Sequence, residues 1–368
     1  MQGLSIAILG TRGIPARYGG FETFADQLAQ RLTRRGHQVT VYGRDRYVTA
    51  GRQGVRSVIL PAIYSKHLET PSHTFLSVLH ATAHRPDVAL VCNTANACFL
   101  PLLRAAGIPS VMNTDGIEWQ RRKWGAAGRT VHLFSEHLAV AWADVLIADA
   151  GFIAEYYQRH HGRRTVRIPY GGDLPRPVST SVLDSLGLEP GAYDLCVCRF
   201  EPENRPLTVI RAHRRLSRGL PLVMVGSAPY ANAYRQQMEA EADSSTLFTG
   251  YRFGDEYRQL LFNSRALLYA GEVGGTHPVL LEAMGAGRLV IYHDTPENRE
   301  TVGDAGLPFG PGGEENLRSV WEQVADHPAW PHQYGTRART RVKQRYQWED
   351  VTDSYEQVFR TLARYSLS

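Results

Sequence analysis

Lysine is almost missing from this chain of 368 residues: it occurs only at Lys66, Lys123 and Lys343, and arginine carries the rest of the positive charge. Any clamp for a phosphate must therefore be built mainly from guanidinium and backbone N–H groups. Cysteine is scarce too. Cys92, Cys98, Cys196 and Cys198 form no C-x-x-C pair, which argues against a zinc ribbon. Cys196 and Cys198 flank Val197, so both leave a strand on the same face, and all four read as buried, reduced thiols of a cytosolic protein. No long hydrophobic run is present. The longest uncharged stretch, Val88 to Leu103, contains Asn93, Thr94 and Asn96 and falls short of the ~20 apolar residues of a membrane span. No basic leader with a cleavage signal precedes the first strand. A formal net charge of +5, with no Lys/Arg run interleaved with aromatics, argues against a nucleic-acid partner. It leaves room for an anionic small ligand and at most peripheral contact with a membrane surface. Repeats, low-complexity tracts and a G-x-G-x-x-G loop are also absent.

What is present is the composition of a soluble globular protein, 43% hydrophobic and 21% charged, with length enough for two domains. LSIAIL (4–9), a glycine-rich loop, a helical run with Phe21, Phe24, Ala25, Leu28 and Leu32 on one face, and HQVTVYG (37–43) make a β-loop-α-β unit. VALVC (88–92), SVMNTD (110–115) and VLIADA (145–150) continue the alternation. Residues 164–181 have linker composition. A second α/β series follows: YDLCVCRF (193–200), PLVMVGSA (221–228), LFTGY (247–251), RALLYAG (265–271) and RLVIYHD (288–294). The expected domains are 1–172, with a last helix at 347–368, and 173–346.

Two glycine loops sit at strand ends, where open α/β sheets bind ligands. In the first, Gly10, Gly13, Gly19 and Gly20 lead into a helix whose free N–H groups suit a phosphate. The second strand then ends in Tyr42-Gly43-Arg44, and an Arg there would serve the 2′-phosphate of NADP, so an NADP-dependent oxidoreductase stays open. In the second, GEVGGTHPVLLEAMGAG (271–287), Pro278 fits the first helical turn and the residues before it form an anion seat. Arg199, leaving the first strand of the second series, would share that diphosphate, and Glu282 would accept from ribose hydroxyls. In VMNTDGIEWQRRKWG (111–125), Asp115, Glu118 and Trp119 combine carboxylates with an aromatic face, as sugar rings require. Arg121, Arg122, Lys123 and Trp124 there offer a membrane-facing or simply solvated basic stretch.

These blocks, with IPYGGD, RFEPEN, VGSAPYANAY, NRETVGDAG and RYQWEDVTDSYEQVF, occur in an order that resembles the retaining glycosyltransferases of family 4, most of all the bacterial rhamnosyltransferase-like subgroup. The resemblance runs nearly end to end. It implies an α/β GT-B fold: two Rossmann-like domains facing across a cleft, with the last helix crossing back to the first. It also implies a nucleotide diphosphate sugar as donor, bound by the second domain, with no metal and no cofactor. By position, Gly19, Gly20, Arg199, Gly275, Thr276 and Glu282 resemble the donor-binding set, and Gly274 and His277 beside them are further expected donor contacts. The broad family's diphosphate Lys falls at Asn204, beside Arg205. Asp115 and Arg199 are the expected catalytic residues; Tyr18, Glu22, Glu118 and Trp119 are the expected acceptor contacts. The acceptor would be a saccharide, a lipid-linked saccharide or a small molecule, met in the cytoplasm or at the inner membrane face. Gly271, Glu272 and His277 depart from the subgroup's HSVGGTNP and bear on the donor sugar. A nucleotide-sugar-binding protein without transfer activity is the alternative outside enzymes.

Overall fold

A computed structural model describes residues 3–17, 19–48, 51–65, 68–114, 116–121, 124–217, 219–227 and 232–365. The chain divides into two compact units, Met1–Tyr170 with Trp348–Ser368, and Gly171–Gln347.

The first unit runs β1 (Ser5–Leu9), α1 (Gly20–Arg34), β2 (Gln38–Arg44), β3 (Arg56–Leu60), α2 (Glu69–His84), β4 (Val88–Cys92), α3 (Leu100–Ala105), β5 (Ser110–Asn113), α4 (Ala126–Trp142), β6 (Val145–Ala148), α5 (Gly151–His161) and β7 (Val166–Arg167). Its sheet is wholly parallel in the order β3-β2-β1-β4-β5-β6-β7. Every residue of β4 is buried, which is why that strand reads as an unbroken apolar run: helices cover both faces of a parallel sheet.

The second unit runs α6 (Ser181–Leu186), β8 (Asp194–Val197), α7 (Pro206–Arg214), β9 (Leu222–Val225), α8 (Asn232–Glu241), β10 (Thr246–Gly250), α9 (Gly254–Asn263), β11 (Ala266–Tyr269), α10 (Pro278–Gly285), β12 (Leu289–His293), α11 (Pro296–Val302), β13 (Leu307–Phe309), α12 (Gly313–Asp326) and α13 (Trp330–Arg345). Its parallel sheet has the order β10-β9-β8-β11-β12-β13. In both sheets the first strand lies between the second and the fourth, the doubly wound arrangement of a Rossmann sheet.

The last helix, α14 (Trp348–Tyr365), belongs to the first unit. Tyr355, fully buried, packs its ring at a tilt 5.2 Å from that of Phe24 and accepts a 2.9 Å hydrogen bond from the Asn113 side chain. Along its rim, Arg35 meets Glu349 at 2.7 Å and Glu356 at 3.0 Å.

Three strands are absent from the sequence reading. β3 is a half-exposed edge strand, β7 is two exposed residues inside the expected linker, and β13 is a three-residue edge strand centred on Pro308. None has the buried run that betrays a central strand. The cysteine expectation also needs correction: Cys92 and Cys196 are buried, but Cys198 is half-buried and Cys98 exposed. Among the described residues, no helix is long and apolar enough to cross a membrane.

Candidate functional site

In the second unit the strand order reverses between β8 and β11, so the crevice for a ligand lies outside their carboxyl ends. Arg199 follows β8 and the GEVGGTHP loop follows β11. The first and fourth strands of this series are hydrogen-bonded neighbours, so two segments seventy residues apart in sequence open on one edge. Gly226, at the end of β9, permits the tight packing beside it. Its φ is +150°, and a Cβ there would stand 1.9 Å from the Cys198 carbonyl oxygen.

α10 begins at Pro278, with His277 as its N-cap making no side-chain cap. The His277 ring lies 4.8 Å from that of Tyr269 and fills the space a Cβ on Gly274 would need, 2.1 Å from its Cε1. Gly274 is thus required for this ring position as well as for backbone approach. Thr276 is buried. One turn on, Glu282 is 6% exposed, and its Oε2 accepts a 2.6 Å hydrogen bond from the Tyr257 hydroxyl on α9. Burial pushes the Glu282 carboxyl up to about 7, against the pull of the Tyr257 hydrogen bond and of Arg258. A buried carboxyl already holding one hydroxyl is well suited to hold others.

Arg199 lies 3.5 Å from Glu201, a loose pair that leaves the guanidinium partly exposed. The Asn204 side chain donates to the Arg199 carbonyl at 2.7 Å and so braces the loop that carries Arg199. Arg205 is the N-cap residue of α7, with φ +51°, and reaches the end of β12. There it donates to His293 Nε2 at 3.1 Å and lies 3.6 Å from Glu272. Burial, then the Arg205 charge, lower the His293 pKa, which favours the neutral imidazole as a partner for Arg205. The Glu272 N–H donates to the Glu203 carbonyl, joining the loops after β8 and β11, and Asn298 on α11 donates to the carbonyls of His293 and Gly271. The second-unit members of the expected donor set, Arg199, Asn204, Arg205, Gly274, Gly275, Thr276, His277 and Glu282, lie on the segments that follow β8 and β11, whereas Gly19 and Gly20 lie in the first unit at the start of α1. Tyr257, His293 and Asn298 were missed; only Asn298, first residue of NRETVGDAG, carried a sequence signal.

The first unit has its own reversal, between β1 and β4. Gly10 turns the chain there with φ +86°, where a Cβ would stand 2.4 Å from the Cys92 carbonyl oxygen. Gly19 is the N-cap of α1 and Gly20 its first residue. Glu22, expected at the acceptor, is buried and accepts the Arg12 N–H at 2.9 Å, which fastens the glycine loop to the helix. Glu118 lies 2.7 Å from Arg121 Nε and accepts from Trp124 Nε1 at 3.2 Å. Arg121 is consequently buried, not part of a basic surface stretch. Trp119 Nε1 donates to the Tyr156 hydroxyl at 3.1 Å, which in turn donates to Glu136 at 2.9 Å. Arg44, on which the NADP reading depended, is 1% exposed and bonded to Glu69 at 2.6 Å and to Thr70. It is occupied inside the protein rather than waiting for a 2′-phosphate. Tyr18, Asp115, Arg122 and Lys123 lie outside the described residues.

The architecture has close likenesses. Sucrose-phosphate synthase from Thermosynechococcus elongatus superposes with a TM-score of 0.82 at 20% identity, covering 100% of both chains. Anabaena HepE, solved with UDP and glucose, gives 0.80 at 17%, covering 97% of this chain and 100% of its own. A UDP-forming α,α-trehalose-phosphate synthase from Burkholderia xenovorans, in complex with glucose-6-phosphate, gives 0.74 at 12%, with 97% and 100% covered. No curated protein sequence matches the chain. Two parallel Rossmann-like sheets with these neighbours define the GT-B class. Residues 18–176 match the model described as Glycosyltransferase Family 4, and residues 193–326 match the one described as Glycosyl transferases group 1. The chain thus carries glycosyltransferase domains of the family 4 and group 1 type.

Proposed function

We propose that this is a retaining, metal-independent glycosyltransferase that moves a hexose or 6-deoxyhexose, rhamnose being one candidate, from a nucleotide diphosphate sugar to an acceptor hydroxyl. The carrying observation is Glu282, buried in α10 with the Tyr257 hydroxyl on one oxygen, in the helix that opens on the proline of GEVGGTHP. That carboxylate would take the ribose hydroxyls. The N-terminal N–H groups of α10 and the Arg199 guanidinium would stabilise the departing diphosphate, where negative charge develops.

The acceptor oxygen attacks the anomeric carbon on the face from which the diphosphate leaves. The bond to the phosphate oxygen breaks as the new glycosidic bond forms, and the leaving phosphate takes the acceptor proton. Asp115 would orient a sugar; Tyr18, Gly19, Gly20, Glu22, Glu118 and Trp119 would serve the first unit's share of the substrates. The acceptor is a glycan, a lipid-linked saccharide at the inner membrane face, or a small molecule. HepE was solved with UDP and glucose, which supports including UDP-sugars among the donors to try.

The test is thermal-shift screening against nucleotide sugars, since a selective donor raises the melting temperature by mass action. Product linkage by NMR and activity in EDTA follow. Inverted product or loss of activity in EDTA would refute the retaining or metal-free part. Donor binding without hydrolysis or transfer would instead favour a non-catalytic nucleotide-sugar receptor.

A further inference from the structure

At the opposite, amino-terminal end of the second unit's sheet lies a cavity of about 440 Å³. It opens between the turns that enter β8, β11 and β12 and the first half of α13. Its wall includes Arg265, Arg288, Arg339 and His332, and among the described residues no carboxylate lines it. Arg265 is neutralised by buried Asp194, to which its Nε donates at 2.9 Å.

The other two guanidiniums have no such partner in the wall. Arg288 donates to the carbonyls of Ala286 and Ser264, and Arg339 donates to the Ala286 carbonyl. Those carbonyls end α10 and α9, so helix-end dipoles hold both arginines in place without cancelling their charge. Burial first, and then the neighbouring Arg339 and Arg176 charges, lower the Arg288 pKa. Two glycines build the seat. Gly287, with φ +71°, leaves room where a Cβ would stand 2.3 Å from an Arg339 nitrogen, and Gly335 lets α13 close on the Gly287 carbonyl. Side-chain N–H groups beyond those given to the carbonyls remain on both arginines.

We infer that this cavity is a second, separate anion site that takes a phosphomonoester, held by Arg288 and Arg339. Two crowded guanidiniums match a dianionic phosphate, and the volume, within the ~300–1,000 Å³ of small-molecule sites, admits the rest of a sugar phosphate. The site lies at the far end of the strands from Arg199 and the start of α10, so it goes beyond the proposed donor chemistry.

The test is calorimetric titration of the whole chain with glucose 6-phosphate and with inorganic phosphate, at ionic strength matched by NaCl. Wild type, Arg339→Gln and Arg199→Ala are compared, with circular dichroism showing that each variant is folded. The expected result is saturable binding that Arg199→Ala retains and Arg339→Gln weakens about tenfold or more. Arg288→Gln supplies the independent variant should Arg339→Gln not fold, with the same expected weakening. Tighter glucose 6-phosphate than phosphate supports the phosphomonoester; equal affinity would overturn it in favour of free phosphate. Binding lost in Arg199→Ala but kept in Arg339→Gln would place the anion at the donor site and overturn the inference, as would no binding above the NaCl control. Neither result touches the donor reading, which stands on nucleotide-sugar binding.

Discussion

Changing Glu282 to Gln keeps an acceptor for the Tyr257 hydroxyl but removes a proton that the buried carboxyl holds up to about pH 7. If the ionised carboxylate is what receives the ribose hydroxyls, nucleotide binding must expel that proton. At pH 6, one unit below the carboxyl's value, about nine in ten free molecules carry it neutral, so the wild-type dissociation constant should be about tenfold weaker than its plateau. That is about 1.4 kcal/mol. By pH 8 the penalty should be nearly gone. Calorimetric titration with UDP between pH 5.5 and 8.5 measures this. The ligand's own phosphate also titrates, but its contribution is common to wild type and Glu282→Gln and cancels in their ratio. Glu282→Gln should bind more weakly at pH 8 and show a flatter profile. Stability gives a second reading of the same group. A folded value of about 7 lies above the ordinary 4.5, so the free protein holds this carboxyl's contribution fully below pH 4.5 and loses it as pH rises through 7. The difference of about 2.5 units amounts to about 3 kcal/mol, and Glu282→Gln should not lose it. Identical pH profiles for the two proteins, in binding and in stability, would refute the reasoning.

Arg199→Ala should lower kcat by about 10²–10³, the usual effect of removing a donor that acts on developing charge; steady-state kinetics decide, and unchanged turnover removes Arg199 from the mechanism. Asp194→Ala should cost about 3–5 kcal/mol, because it strands Arg265 and the buried Trp321 indole N–H, which now donates at 2.7 Å. Asp194→Asn should recover part of this in urea unfolding. Gly226→Ala should destabilise by more than about 2 kcal/mol, since both its φ and the Cys198 carbonyl oppose a side chain; thermal melting checks it. Burial opposes ionisation of Glu356, but hydrogen bonds from Arg35, Arg360 and His37 outweigh it and bring the carboxyl down to about 2. Its stabilisation is therefore present above about pH 4.5 and lost as pH falls toward 2, so Glu356→Gln should flatten the acid limb of the unfolding profile.

What could be read in advance follows the physics of burial. VALVC was legible end to end because all five residues of β4 are buried on both faces. RSVIL was not, because an edge strand alternates with solvent and looks like loop. Pro278 announced the start of α10, since a proline is tolerated at a helix's first position. The same stretch said nothing of Tyr257, which comes from another helix and finds Glu282 only through the fold. Arg44 shows the reverse limit. A cation at a strand end suggested a phosphate ligand, but sequence could not reveal that Glu69, twenty-five residues on, already claims it. Long-range polar pairing has no periodicity, so a single sequence exposes the residue type and hides its partner.

The return of α14 to the first unit has a consequence for how the protein is made. The aromatic cluster of Phe24 and Tyr355, and the Asn113–Tyr355 hydrogen bond, join residues made early to residues made nearly last. While the ribosome is still translating the second unit, the first has its whole sheet but an open apolar trough where Trp348, Tyr355 and Phe359 will lie buried. It therefore cannot finish folding in the order in which it is synthesised, although the second unit, contiguous in sequence, can. A nascent chain stalled before Trp348 would leave that trough uncovered and exposed to chaperones or to its neighbours.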